Sequence, residues 1–301
     1  MDFVALKTFC RAVEEANLTA AAKALHITKS VASRRIQNLE DELQSKLLLR
    51  NTRGVSPTEV GSRLYERAIN ILADIEDTKQ SVTSSASELV GTIRLTAPRS
   101  FADLNLKQPF TAFMAQHPNL SFDLNLTDER IDIVSGGYDL GLRITHHLDD
   151  TSLIAKKLAE VRSLVVASPE YIQKHGEPET PTDLKNHPCV FYANIEAAKQ
   201  WTFVGPQTTK PVRVSGPLTS NSGIMQLAAV EAGLAIATLP RFFVHEALSK
   251  GDVIEILKAY PRPISHLYAL YPDRRLLPLK VRKFIDFLVN WYADEQNNSS
   301  L

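Results

Sequence analysis

Apolar residues in the first ninety positions recur at helical spacing. Phe3, Leu6, Phe9, Cys10 and Val13 mark an amphipathic opening helix with one apolar stripe. The run Ala20-Ala21-Ala22-Lys23-Ala24-Leu25, with Thr19 placed to cap it, predicts a short helix of high intrinsic helicity. His26-Ile27 breaks that helix, and Thr28 is placed to cap a third one running to about Gln44. In the third helix Ala32, Ile36, Leu39 and Leu43 form an apolar stripe, while Ser30, Ser33, Arg34 and Gln37 share a polar face. Two short helices joined by a tight turn make a helix-turn-helix over about Leu18 to Gln37. Arg50 to Val55 has the make-up of a short hairpin with a basic tip. Thr58 is placed to cap a long helix from Glu59 to about Ser87, in which Val60, Leu64, Ala68, Ile71, Ile75 and Val82 keep a nearly heptad register. Such a helix reaches about 40 Å. Its seam calls for a second helix, and homodimerisation supplies one.

The pattern then changes. Gly91 is the natural hinge after the long helix, and strands alternate with helices beyond it. Ile93–Ala97 reads as a strand, Leu104–Phe113 as a helix and the alternating Leu120, Phe122, Leu124 and Leu126 as a second strand. Leu140–Ile144 and Leu164–Ala167 are further strands, with Glu170–Lys174 helical. Gly223–Glu231 reads as a helix closed by Gly233 and followed by a buried strand, Leu234–Leu239. Val253–Leu257 and Leu267–Leu270 add strands, and an amphipathic helix, Lys280–Trp291, precedes a polar tail. The fold class is α/β, with an all-α winged helix-turn-helix in front.

A chain of 301 residues suggests about two domains. Hydrophobic residues at 44% and charged residues at 23% exclude wholesale disorder and a fibrous repeat. Lys+Arg and Asp+Glu both number 34, so a nucleic-acid binder of this composition must concentrate its positive charge. Between Lys23 and Arg53 it does: seven basic side chains face only Glu40, Asp41 and Glu42. Short hydroxyls, an arginine and a glutamine near a helix N-terminus have the chemistry to reach base edges and phosphates in a major groove. The candidate DNA-binding residues are therefore Thr28, Lys29, Ser30, Ser33, Arg34 and Gln37, with Arg50 and Arg53 of the hairpin set to touch flanking phosphates. Cys10 and Cys189 fit a reducing cytosol better than a disulfide framework, with a redox-sensing pair as the minor alternative. No apolar run approaches the ~20 residues of a membrane span. The opening residues lack a basic-then-apolar leader, so the expectation is a cytoplasmic protein.

The stretch Leu18 to Thr28, then Val31-Ala32-Ser33-Arg34-Arg35-Ile36, Leu39-Glu40-Asp41-Glu42-Leu43, Leu47 to Arg50, Arg53, Thr58, Glu59 and Gly61 resembles the signature of LysR-type transcriptional regulators. Lys29 stands where that family commonly has Gln, Leu48 where it has Phe and Pro57 where it has Leu. The resemblance implies a DNA-binding domain over 1–58, a linker and dimerisation helix over 59–88, an effector domain over 91–293 and a polar tail over 294–301. It also implies two Rossmann-like subdomains, one from about 91–162 and 220–293, the other from about 163–219. On that mapping the crossovers lie near Val161–Ser168 and Val214–Asn221. The implied partners are double-stranded DNA with an interrupted inverted repeat, a small-molecule effector, further copies of the chain as a homodimer or homotetramer, and RNA polymerase, with nucleoid association but no membrane.

Strand-to-helix junctions at the carboxyl edge of a sheet turn backbone N–H groups toward a crevice. Ser100 and Phe101, Thr127 and Asp128, and Asn221 and Ser222 sit at three such junctions, and Arg143 and Arg99 are placed to neutralise a carboxylate. Convergent helix N-termini favour an anion, so a small anionic metabolite is the expected effector. Ser100 and Thr127 also match positions where the family's ligands commonly bind. His146-His147 with Asp149-Asp150 is a polar loop more than a metal site, and no cofactor is expected. The patterns G-x-S-x-G, H-E-x-x-H, G-x-x-x-x-G-K-[ST] and G-x-G-x-x-G are absent, so nothing points to catalysis. Two rivals share the scaffold. A solute-binding protein with a helical appendage leaves the basic face unexplained, and an enzyme lacks a visible nucleophile or metal constellation.

Overall fold

The computed structural model describes residues 2–51, 54–83, 89–148, 153–193, 199–204, 211–272 and 277–297. The chain divides into two compact units, Met1–Gly91 with Asp132–Tyr138, and Thr92–Ile131 with Asp139–Leu301.

The first unit opens with α1 (Phe3–Glu14), α2 (Leu18–Ala24) and α3 (Lys29–Glu42). Asn17, not Thr19, caps α2: its Oδ1 accepts from the Thr19 and Ala20 N–H groups at 2.8 and 3.1 Å, so the helix begins at Leu18 and not at Ala20. Thr28 caps α3, its Oγ1 accepting from Val31 N–H at 3.3 Å. The turn between them passes through His26 at φ 53°. Ala32, Ile36 and Leu39 are buried against Leu6, Phe9, Ala21 and Ala22, but Leu43 is 38% exposed because α3 stops at Glu42, before that position can face the core. The hairpin follows as β1 (Leu48–Asn51) and β2 (Gly54–Pro57), antiparallel with Arg50 opposite Val55. Arg53 lies outside the described residues, as does the side chain of Arg50.

Thr58 then caps α4 (Glu59–Thr83), accepting from Gly61 N–H at 2.9 Å and donating to Lys46 O at 2.8 Å. Gly61 is required by close approach: a Cβ there would stand 2.1 Å from the Leu47 carbonyl oxygen. The expected single seam of α4 is split. Ala68 is fully buried in the core of its own unit and Leu64, Tyr65, Ile69 and Leu72 pack on that core, which leaves Val60 and Ile71 exposed at 39%. The end of the long helix near Ser87 and the Val82 side chain fall outside the described residues.

Gly91, the residue before the second unit, turns at φ 99°, a conformation glycine alone adopts without strain. The chain runs through β3 (Gly91–Ala97), α5 (Arg99–Phe101), a π-helical turn (Ala102–Leu106), α6 (Lys107–Gln116), β4 (Leu120–Leu126), β5 (Leu140–Thr145) and β6 (Leu153–Val161). Past Arg162 it enters β7 (Ser163–Ala167), α7 (Pro169–His175), a 3-10 turn (Pro181–Asn186) and β8 (Pro188–Tyr192). It continues through β9 (Gln200–Trp201), β10 (Val212–Arg213), β11 (Ser215–Ser220), α8 (Gly223–Glu231), β12 (Ile236–Pro240), α9 (Arg241–Lys250) and β13 (Ile254–Ile256). β14 (Ser265–Pro272) and α10 (Leu279–Asn297) complete it.

Two five-stranded sheets result, β4-β3-β5-β14-β6 and β11-β8-β12-β7-β13. In the second sheet alternate residues feed opposite faces, as the pleat requires. Val165, Cys189, Phe191 and Ile236 enter one core layer, while Val166, Val190 and Ala237 enter the other. The first sheet is covered by α6 and α10, where Phe113 and Phe284 rings meet at 4.9 Å and Phe122 and Phe284 at 5.3 Å.

The subdomain boundary differs from the expected one. α8, β12, α9 and β13 belong to the second sheet, because β12 pairs with β8 at Ile236↔Cys189 and with β7 at Ala237↔Val166, and β13 pairs with β7. The return crossover is thus residues 257–264 and not Val214–Asn221, where β11 simply pairs with β8. The return segment is fixed to the second sheet's core: Val204 N–H donates to Pro261 O at 2.8 Å, and the Arg262 guanidinium lies 5.9 and 5.3 Å from the Trp201 and Phe203 rings. Both cysteines are buried, and burial pushes each thiol up to about 12, so neither carries the thiolate that redox sensing uses.

Candidate nucleic-acid interface and effector cleft

The buried stripe of α3 dictates what its other side presents. With Ala32, Ile36 and Leu39 inward, Thr28, Lys29, Ser30, Arg34 and Gln37 are exposed, and Ser33 is half-buried. Thr28 and Ser30 hydroxyls are 2.9 Å apart, and Gln37 donates to Asp41 at 3.2 Å one turn on. Val31, which sequence reasoning passed over, adds an exposed apolar group to the start of the helix. Its signal was an apolar residue outside the stripe, of the kind that meets a thymine methyl.

Glu40 was also missed as a functional support. It is 5% exposed, ion-paired to Lys46 at 2.8 Å, and its other oxygen accepts from Leu47 and Leu48 N–H at 2.9 and 3.2 Å. One carboxylate thereby ties the end of α3 to the start of the hairpin. Burial alone would raise its pKa, but the hydrogen bonds from Lys46, Leu47 and Leu48 hold it below the usual carboxylate value.

In the second unit the strand ends gather the other candidates. Thr127 N–H donates to Ala97 O at 3.0 Å, which sets Thr127 and Asp128 beside the β3 junction that leads into Ser100 and Phe101. In the other sheet Ser220 and Tyr192 are register partners, so Asn221 and Ser222 follow the same edge as Tyr192. Ser222 caps α8 by accepting from Met225 N–H at 3.4 Å. The two edges meet. Phe101 stands edge-on to Phe242 at 5.9 Å. Burial pushes the Tyr192 phenol up and the Asp128 charge adds to the rise. Tyr192 was not among the expected residues: a lone aromatic at the end of a strand carries no periodic signal.

Arg143 lies on β5 and donates to its neighbour's carbonyl, Leu142 O, at 2.9 Å. Arg99 is exposed at the start of α5. His146 and His147 are exposed with rings 6.1 Å apart, and among the described residues no three metal-ligating side chains come together. Asp149 and Asp150 lie outside the described residues.

Two family models match this layout. Residues 3–62 match the bacterial regulatory helix-turn-helix protein, lysR family, and residues 86–293 match the LysR substrate binding domain. The chain belongs to the LysR family. An uncharacterized HTH-type transcriptional regulator of Haemophilus influenzae is 37% identical over 92% of this chain and 96% of its own length. The HTH-type transcriptional activator TtdR of Escherichia coli is 31% identical over 95% and 92%. Among solved structures, full-length AphB of Vibrio cholerae is 28% identical with TM-score 0.59 over 97% of this chain and 100% of that one. CrgA of Neisseria meningitidis is 27% identical with TM-score 0.62 over 97% and 99%. This LysR-family member is a DNA-binding transcriptional regulator with an effector-binding domain and not an enzyme. Regulators of the family bind DNA and small-molecule effectors and form oligomers. Among the described residues no helix is long and apolar enough to cross a membrane.

Proposed function

We propose that this regulator reads an interrupted inverted repeat in double-stranded DNA with the N-terminal half of α3, and that a small anionic metabolite in the cleft of the second unit controls it. The observation that carries the reading is the exposed set Thr28, Lys29, Ser30, Arg34 and Gln37 standing over the buried stripe Ala32, Ile36 and Leu39. Lys29, in place of the family's usual Gln, favours guanine or phosphate, so the operator differs from those of relatives. Arg50 and Arg53 would touch flanking phosphates from the hairpin. Ser100, Phe101, Thr127, Asp128, Asn221 and Ser222 line the effector cleft, with Arg143 as a further charge nearby. The protein acts on the nucleoid in the cytoplasm, needs no cofactor beyond its co-inducer, and engages RNA polymerase. A genome-wide binding map should return sites with two half-sites about one helical turn or a multiple apart. Scattered single half-sites would overturn the reading.

The oligomer is a homodimer or homotetramer built on the exposed remainder of the α4 seam. Ile71→Glu with Ile75→Glu should lower the mass in solution by light scattering. Leu64 is unsuitable for this test because it packs on its own unit's core. An unchanged mass would remove α4 as the contact.

A further inference from the structure

We propose that Val31 is a specificity-determining residue of α3, and that each half-site carries a thymine whose C5-methyl group its side chain covers. The inference rests on the reading of α3 as the helix that enters the major groove, and it names a base which that helix selects.

Along α3 the apolar positions Ala32, Ile36 and Leu39 are buried, and the opposite side carries Ser30, Arg34 and Gln37. Val31 belongs to neither set. It is 39% exposed, the large apolar side chain of α3 that the core of its own unit does not take up. It lies about 60° around the helix from Arg34, three residues on, so the two are surface neighbours. A solvated helix face gains nothing from a valine, whose branched Cβ makes it a poorer helix former than alanine, lysine or glutamate. The same branching suits a contact. Within a helix χ1 is held in essentially one rotamer, so two methyl groups stand in a fixed place and little freedom is lost when something covers them. The backbone beneath them is held as well: Val31 N–H donates to the capping Thr28 Oγ1 at 3.3 Å, and that hydroxyl lies 2.9 Å from Ser30 Oγ.

The surroundings decide what covers Val31. Lys29, Arg34 and Arg35 bracket it in sequence, and no carboxylate side chain occurs between Glu15 and Glu40. Three cations around one valine suit a phosphodiester duplex better than an apolar protein surface. In the major groove the apolar group a duplex presents is the thymine C5-methyl. Over the exocyclic amine of cytosine or adenine, a valine would strip water and return no hydrogen bond. Thymine is therefore the base that Val31 favours, within about two base pairs of the group that Arg34 meets.

The test uses the full chain and an operator selected from random-sequence duplex DNA. Each thymine of the half-site is replaced in turn by deoxyuridine, which removes the methyl and leaves every hydrogen-bonding group in place. One such position should weaken binding roughly three- to fivefold, the worth of one methyl group taken out of water. Val31→Ser should bind the thymine and deoxyuridine duplexes equally, and Val31→Ile should keep the contrast between them. Both variants should keep the wild-type melting temperature, because the side chain is exposed. Suppose that deoxyuridine weakens binding nowhere, or weakens the Val31→Ser chain as much as the wild type, while Arg34→Ala still loses affinity. Then α3 remains the recognition helix and the assignment of Val31 is overturned. If Val31→Ser and Arg34→Ala both leave affinity unchanged, the assignment falls together with that reading.

Discussion

Arg34→Ala is expected to weaken operator binding about tenfold to a hundredfold, the 1–3 kcal/mol that a base-contacting arginine contributes. Arg34 is exposed on α3 while its helix neighbours Ala32 and Ile36 are buried, so the substitution leaves the core untouched and the melting temperature should hold. Gel-shift titrations at several salt concentrations separate two modes of action. A base contact costs affinity on the specific site and relaxes preference at one position. A phosphate contact costs affinity on all sequences and lowers the salt slope by about one. Unchanged affinity and slope would remove α3 as the recognition helix.

The second large effect is on stability. Glu40→Ala should cost the first unit about 2–4 kcal/mol, because it strands the buried Leu47 and Leu48 N–H groups, while the exposed Lys46 ammonium returns to water. Chemical denaturation of the full chain, followed by a probe in the first unit, reads this directly. Glu40→Gln should cost less, since an amide oxygen still accepts from the backbone. The wild-type protein gives a further check through pH. The folded-state pKa of Glu40 lies below its unfolded value. Its contribution is therefore fully present above the ordinary glutamate range near pH 4.3 and is lost as pH falls through the lowered folded value. The Glu40→Gln chain should lack that portion of the acid-side loss. An identical acid limb in both chains would show that Glu40 contributes nothing through its charge.

How much of this was legible in the sequence follows from the range of the interactions involved. Thr28 and the stripe Ala32, Ile36 and Leu39 are local features: a cap acts within three residues and a helix repeats every 3.6, so they are written in adjacent positions. Even so, Asn17 and Thr19 both carry capping chemistry, and the geometry chose the earlier. Glu40 reads as one more charge on a polar helix because its partners lie six to eight residues away on the next element. The hairpin, the β3, β4 and β5 strands and α8 show their period. β6, β8 and α9 were missed, β11 was read as the return crossover, and the subdomain boundary was misplaced, because strand order depends on pairings such as Ile236↔Cys189 that no local pattern encodes. The candidate cleft was half visible: the junctions at Ser100, Thr127 and Asn221 follow from strand ends, whereas the Phe101–Phe242 contact depends on how two sheets meet.

The position of the two crossovers has a mechanical consequence. Residues 163–256 form one uninterrupted insertion in the first sheet, and the chain leaves and re-enters it at Val161 and Ser265, which are opposite each other on β6 and β14. Both connections therefore pass through one doorway, side by side. Two adjacent strands bend together easily but resist sliding past each other, so the second subdomain can swing about that doorway and has little freedom to shear. Any change in the separation of the two sheets' carboxyl edges is thereby converted into an angle, and an angle grows into displacement with distance from its pivot.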